Sequence, residues 1–133
     1  MIGPNANNRR ALVGNYEGTS SRYITVLEGI QDYLGDDVRV LYSEGCHLYR
    51  AKTDNLAQDN NLAAEVQGVC EESDVIICCL GLDAGLEGEE GDAGNAYASG
   101  DKKTLELPGY QNEVLRMAVE SGKPVILVLL AGS

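Results

Sequence analysis

No phenylalanine and no tryptophan occur in this sequence, although it carries seven tyrosines. Its core must therefore be aliphatic, built from Val, Ile, Leu and Ala. Basic residues are scarce too: 10 Lys and Arg stand against 21 Asp and Glu, a net charge of −11. A surface so acidic repels phosphate backbones and anionic lipid, which argues against nucleic acid and membrane as partners and leaves neutral or cationic small molecules. Long apolar runs are missing as well. The longest, PVILVLLA at 124–131, is too short to cross a bilayer. No charged n-region followed by an apolar h-region opens the chain, so no signal peptide is visible.

Cysteine occurs four times, at Cys46, Cys70, Cys78 and Cys79, but never as a CxxC pair. Zinc-ligand spacing is thus lacking, and no metal or cofactor is implied. Cys78 and Cys79 are neighbours inside an apolar run, where alternate side chains point to opposite faces of a sheet. All four are expected as buried free thiols acting as small hydrophobes. Free thiols favour a reducing, cytoplasmic compartment.

The 133 residues suffice for one domain with its own core. Met1-Ile2 reads as the tail of a strand turning at Gly3-Pro4-Asn5. Ile24, Leu27, Ile30 and Leu34 recur at helical spacing, with Ser20 or Ser21 as a candidate cap. Val38–Tyr42 reads as a strand. Leu62, Ala63, Val66, Val69 and Cys70 form a second helical stripe, and Val75–Leu80 the next strand. Pro108 suits the first turn of a third helix, with Val114, Leu115, Ala118 and Val119 inward and Gly122 ending it. Val125–Leu130 is a continuous apolar run, expected of a strand covered on both faces. Strand–helix alternation of this kind predicts an α/β fold, a doubly wound and mostly parallel sheet with helices on both faces. The chain begins in mid-strand and stops just past another, so both ends are expected to be interior to a larger fold.

In such sheets ligands bind beyond the carboxyl ends of the strands. The long segment after the third strand, Gly81 to about Leu107, holds five carboxylates between residues 83 and 92: Asp83, Glu87, Glu89, Glu90 and Asp92. Its glycines match no GxGxxG or Walker pattern, and a phosphate beside these acids would be repelled. The spacing does not follow the helix–loop–helix calcium pattern either. Two readings stay open on these residues alone. The loop is a solvated acidic surface, or crowding raises one carboxyl pKa enough to make a proton donor. His47 has no accompanying nucleophile motif and reads as a surface or capping residue.

IGPNA at 2–6, GNYEG at 14–18, LEGI at 27–30, EGC at 44–46, SDVIICCLGLD at 73–83, LEGEEGD at 86–92, GDKKTLELPGYQ at 100–111 and GKPVILVLLAGS at 122–133 make an ordered set. In order and spacing it resembles the second, α/β-sandwich domain of glycoside hydrolase family 3, the β-glucosidases and β-xylosidases. The resemblance covers essentially the whole chain. It implies one part of a six-stranded sandwich, with a preceding (β/α)8 barrel lying outside these residues. In that family the barrel supplies an Asp nucleophile, and a loop of the sandwich supplies the acid/base Glu for retaining hydrolysis of terminal β-linked sugars.

Carried over by position, the pattern GLD-x-x-x-E puts the acid/base at Glu87, with Glu89 and Glu90 as alternates. Asp101 matches the acid of the family's Gly-Asp-Arg segment, but Lys102 stands where Arg is usual. An ammonium does not reproduce a planar, bidentate guanidinium. Asp74 sits at a strand entry and is not the nucleophile. The implied partners are a carbohydrate (a β-glucoside, β-xyloside or related oligosaccharide) and the barrel domain, and an incomplete sheet edge implies self-association. On this reading the chain is a fragment inactive alone. A non-catalytic carbohydrate-binding or interaction module of the same fold is the alternative.

Overall fold

Helix α1, Val26–Leu34, starts where Thr25 caps it. The Thr25 hydroxyl accepts from the Glu28 backbone N–H, and the Glu28 carboxylate accepts from the Thr25 N–H in return. This capping box contributes about 1 kcal/mol and fixes the helix start at Val26. Ser20, a candidate cap from the sequence, instead closes its own turn, donating to the Arg22 carbonyl at 2.7 Å. The hydrogen bond from the Thr25 backbone N–H first, and the Arg9 guanidinium second, hold the Glu28 carboxyl below its usual range. The computed structural model describes residues 1–14, 18–50, 61–86 and 104–131.

Helix α2 spans Asn61–Glu71 and helix α3 spans Gln111–Glu120. Pro108 lies just before α3, three residues ahead of its first residue. Strands β1, Ile76–Gly81, and β2, Val125–Leu130, pair in parallel from Ile76↔Val125 to Gly81↔Leu130. The sheet continues beyond β1. Ile2 bridges in parallel both to Cys78 and to Ser43. Its N–H donates to the Ile77 carbonyl at 2.9 Å, and its carbonyl accepts from Cys79 at 2.8 Å. On the other side, Ser43 donates to the Met1 carbonyl and Gly3 donates to Ser43. The order across the sheet is therefore 41–43, 1–3, β1, β2.

Val38–Tyr42, predicted as a strand, holds no strand residue, and the pairing falls on Ser43 just beyond it. Its pairing is confined to the short reach of Met1–Gly3, which supplies a single bridge rather than a ladder.

Alternation along β1 separates two cores. Ile76, Cys78 and Leu80 join Ile2, Val66 and Cys70 of α2 with Val114 and Ala118 of α3 on one face. Cys79 joins Met1, Ala6 and Leu27 on the other, with Ile30 and Ile77 packed against them. Helices thus cover both faces, as the strand–helix alternation indicated. Each wholly buried Ile or Leu here contributes roughly 1.5–3 kcal/mol of burial. All four thiols are free and buried. Burial pushes the Cys46 thiol up to about 12, and those of Cys78 and Cys79 up to about 11. They stay protonated at neutral pH and act as apolar filling.

β2 corrects the expectation of a strand covered on both faces. Ile126, Leu127 and Leu129 are 51%, 45% and 52% exposed. Among the described residues β2 is paired on its β1 side alone, and none of them covers these side chains. Val119, expected inward, is likewise exposed at 59%. An apolar strand edge of this kind invites pairing with another copy, while a charge of −11 opposes close approach. The 133-residue chain is therefore expected to self-associate more strongly as salt screens that repulsion. Sedimentation over a salt series checks this; a monomer at every ionic strength contradicts it.

Candidate active site

Strand 1–3 leads through α1 to 41–43 on one side, whereas β1 lies on its other side. The chain direction across the sheet reverses between strand 1–3 and β1, and the crevice beyond their carboxyl ends is where open α/β sheets bind ligands. Two loops leave from that point, Gly3–Arg10 and Gly81–Leu86.

Glycine sets the start of both. Gly3 has φ 124° and Gly81 φ 127°, values that L side chains rarely adopt. A Cβ on Gly3 would overlap the Cys79 carbonyl, and one on Gly81 the Leu130 carbonyl. Each strand end therefore lies hard against its neighbour before turning away.

Side-chain amides then tie the loops down. Asn5, 2% exposed, donates to the Leu82 carbonyl at 3.0 Å. Asn8 donates to Asn5 Oδ1 at 3.2 Å and to Asp83 Oδ2 at 3.3 Å. Asp83 Oδ1 accepts from the Gly85 N–H at 2.8 Å, and its carbonyl accepts from Leu86 at 3.0 Å. The Arg10 guanidinium lies over Gly85. On the α1 side, Ala6 accepts from Leu27, and Asn7 Oδ1 accepts from the Thr25 hydroxyl. Leu86, the last described residue of this stem, is buried, 2% exposed.

Gln111, at the first turn of α3, is wholly buried. Its Oε1 accepts from the Gly81 N–H at 2.7 Å, and its Nε2 donates to the carbonyls of Gly81 and Leu48 at 2.8 and 2.6 Å. One amide thus satisfies three backbone groups where β1 ends and the 44–50 loop passes. His47 Nδ1 accepts from the N–H groups of Tyr49 and Arg50 at 3.2 and 3.1 Å, a capping role as the sequence indicated. Asp74 stands at the entrance to β1, the opposite end of the sheet. Two clefts of about 520 and 460 Å³ also open at that amino end, one between α2 and α3 and the other beneath Val38–Leu41.

The sequence-predicted acids Glu87, Glu89 and Glu90, with Asp101 and Lys102, lie outside the described residues. The stem that leads into them does not. Sequence reasoning missed Asn5, Asn8, Asp83 and Gln111 as a network. The usable signal was the amide-rich run Asn5-Ala6-Asn7-Asn8 directly after a strand end, since such side chains satisfy loop backbone. Nothing local marked Gln111, whose partners are 30 and 63 residues away.

A parallel sheet with helices on both faces and an amide-bound crevice at the carboxyl ends defines an α/β domain. The chain matches the glycosyl hydrolase family 3 C-terminal domain over residues 1–133 and belongs to that family. A β-xylosidase from Formosa agariphila is 30% identical over 138 residues, which take in 99% of this chain and 17% of the relative. Beta-D-xylosidase 1 of Arabidopsis thaliana is 33% identical over 133 residues, 99% of this chain and 15% of the relative. A solved β-glucosidase structure from Erythrobacter marinus superposes with a TM-score of 0.77 at 29% identity, covering 96% of this chain and 18% of that one. The chain thus spans 15–17% of the length of these two curated relatives.

Gln111→Glu tests the amide directly. A carboxylate cannot donate to the Gly81 and Leu48 carbonyls, so it costs on the order of 3 kcal/mol at pH 7. Burial against two carbonyls raises the folded-state pKa of the new acid above its unfolded value. Its neutral form is tolerated below the unfolded pKa, and stability is lost as pH rises through the folded one. Urea midpoints are expected to separate from wild type more at pH 7 than at pH 4.5; an equal separation at both contradicts the assignment.

Proposed function

We propose that this chain is the part of a retaining β-glycosidase that supplies the acid/base carboxyl, Glu87, with Glu89 and Glu90 as alternates. The observation that carries the reading is the match to the family 3 C-terminal domain along residues 1–133. Two of its features support it. The buried Leu86 ends a stem anchored at the switch-point crevice, and Glu87 is the next residue. The sheet segments 41–43, 1–3, β1 and β2 would then be four strands of a six-stranded sandwich whose last strands are outside these residues. A (β/α)8 barrel elsewhere in the longer protein would bring the nucleophilic Asp.

The chemistry follows from two carboxyl groups roughly 5–5.5 Å apart. The nucleophile's carboxylate forms a bond to the anomeric carbon as the bond from that carbon to the leaving oxygen breaks. Glu87 gives its proton to that oxygen. In the second step water attacks the anomeric carbon, Glu87 takes the water's proton, and the nucleophile leaves as a carboxylate. The substrate class is a terminal, non-reducing β-linked sugar such as a β-glucoside or β-xyloside, and the chemistry requires no cofactor. A charge of −11 is compatible with a neutral sugar, whose binding it does not oppose.

Two measurements test this. The isolated 133-residue chain, lacking a nucleophile, is expected not to hydrolyse aryl β-glucosides or β-xylosides; hydrolysis abolished by Glu87→Gln would contradict the need for a second domain. In the longer protein, Glu87→Ala should slow substrates with poor leaving groups by roughly 10²–10⁴-fold and activated aryl glycosides far less. Azide should rescue it by replacing the base-assisted water. Equal losses on both substrate types, or the pattern appearing at Glu89 or Glu90, would move the assignment. Sugar binding with no turnover in the longer protein would favour a non-catalytic module.

A further inference from the structure

The cleft beneath Val38–Leu41 has the edges of a missing strand. Its walls are the segments 37–41 and 72–77, and Ile30 and Leu34 of α1 line it between them. Strand 1–3 joins the two walls at one end of the cleft. There the Met1 amino group donates to the Leu41 carbonyl, and the Ile2 N–H donates to the Ile77 carbonyl. In an extended chain the N–H and C=O of one residue point to the same edge. The N–H groups of Leu41 and Ile77 therefore face into the cleft, and neither has a partner among the described residues. Two segments that flank one strand stand roughly 9–10 Å apart, twice the usual strand spacing.

Sequence and structure differ at both walls in the same sense. Val38 to Tyr42 has the composition of a strand but holds no strand residue. Val75, expected in the next strand, lies just before β1. Val38 and Val75 are each 50% exposed, one on either wall. Two strand-forming edges with unpaired N–H groups, one strand's width apart, call for an extended backbone between them. A helix, about 10–12 Å across with its side chains, is too wide for that gap. Charge narrows the occupant further. Asp37, Glu72 and Asp74 line the cleft against a single base, Arg39, which already pairs with Glu72 at 3.6 Å. A second copy of this chain, itself at −11, fits such a mouth poorly.

We propose that this cleft is a strand-addition site whose partner is an extended, basic peptide lying parallel to both walls. The peptide backbone supplies carbonyls to the Leu41 and Ile77 N–H groups. Alternate side chains then point to Ile30 and Leu34 on one face and away from α1 on the other. Four residues, spanning about 13 Å, match the length of the walls. Backbone bonds set the orientation, and the acids of the mouth select for Lys or Arg. The site lies at the amino end of the sheet, and the inference is independent of the acid/base assignment.

The test uses the 133-residue chain and the capped tetrapeptide acetyl-Lys-Val-Lys-Val-amide, read by amide hydrogen exchange in NMR spectra. In the free chain the Leu41 and Ile77 amides are expected to exchange faster than that of Cys79, which is bonded to Ile2. With peptide at ten times its Kd, both are expected to slow about 10-fold, while Cys79 is unchanged. Acetyl-Glu-Val-Glu-Val-amide is expected to bind more weakly, by a margin that shrinks as salt is added. Acetyl-Lys-Pro-Lys-Pro-amide, lacking two N–H groups, is expected to bind more weakly at every salt concentration. Asp74→Lys should weaken the basic peptide and leave the free-chain exchange of Leu41 and Ile77 as it was. Free-chain protection of Leu41 and Ile77 equal to that of Cys79 overturns the inference, as does no slowing at millimolar peptide. Equal binding of the proline peptide, or of the acidic one at low salt, overturns it too.

Discussion

Strand 1–3 is held on both sides, by Ser43 and by Ile77 and Cys79, and everything else in the fold is placed relative to that pairing. It puts α1 on one face and α2 with α3 on the other. It also makes the order in which the chain adds its parallel strands reverse between strand 1–3 and β1. Close approach at the strand ends depends on Gly3 and Gly81, where any side chain would meet a neighbouring carbonyl. The crevice is consequently a product of backbone packing, and the amides of Asn5 and Gln111 line it because loop and strand-end groups there need partners.

Charge is distributed to suit that arrangement. The two cores are aliphatic and thiol-rich, and burial keeps the thiols neutral. Of the strong net negative charge, four carboxylates fall between residues 87 and 92, directly after the stem, and Asp83 lies within it. A group asked to hold a proton near neutrality benefits from neighbouring carboxylates, provided its position is fixed by something other than those neighbours.

Much of the fold was legible. The 3.6-residue stripes of Val66 and Cys70, and of Val114 and Ala118, and the apolar runs of β1 and β2 all correspond to observed elements. Where reading failed, the cause was tertiary. The cap of α1 is Thr25 rather than Ser20 or Ser21, because its box with Glu28 is completed beside the Asn7 amide. Val38–Tyr42 has strand composition but too short a partner. β2 is apolar yet, among the described residues, paired on one side alone, a distinction that composition does not carry. For the site, the acidic run was visible at once, since charge density is local. The bonds from Asn5 to Leu82 and from Gln111 to Gly81 join residues 77 and 30 positions apart, and no local pattern encodes them.

The central claim is that the carboxyl following this stem works opposite a nucleophile contributed from outside these 133 residues. Its most direct test is the separation of two carboxyl groups in a crystal structure of the longer protein with a sugar bound. The account requires the Glu87 carboxyl roughly 5–5.5 Å from the carboxylate that faces the anomeric carbon. A Glu87 side chain pointing to solvent, with another acid at that separation, would contradict it.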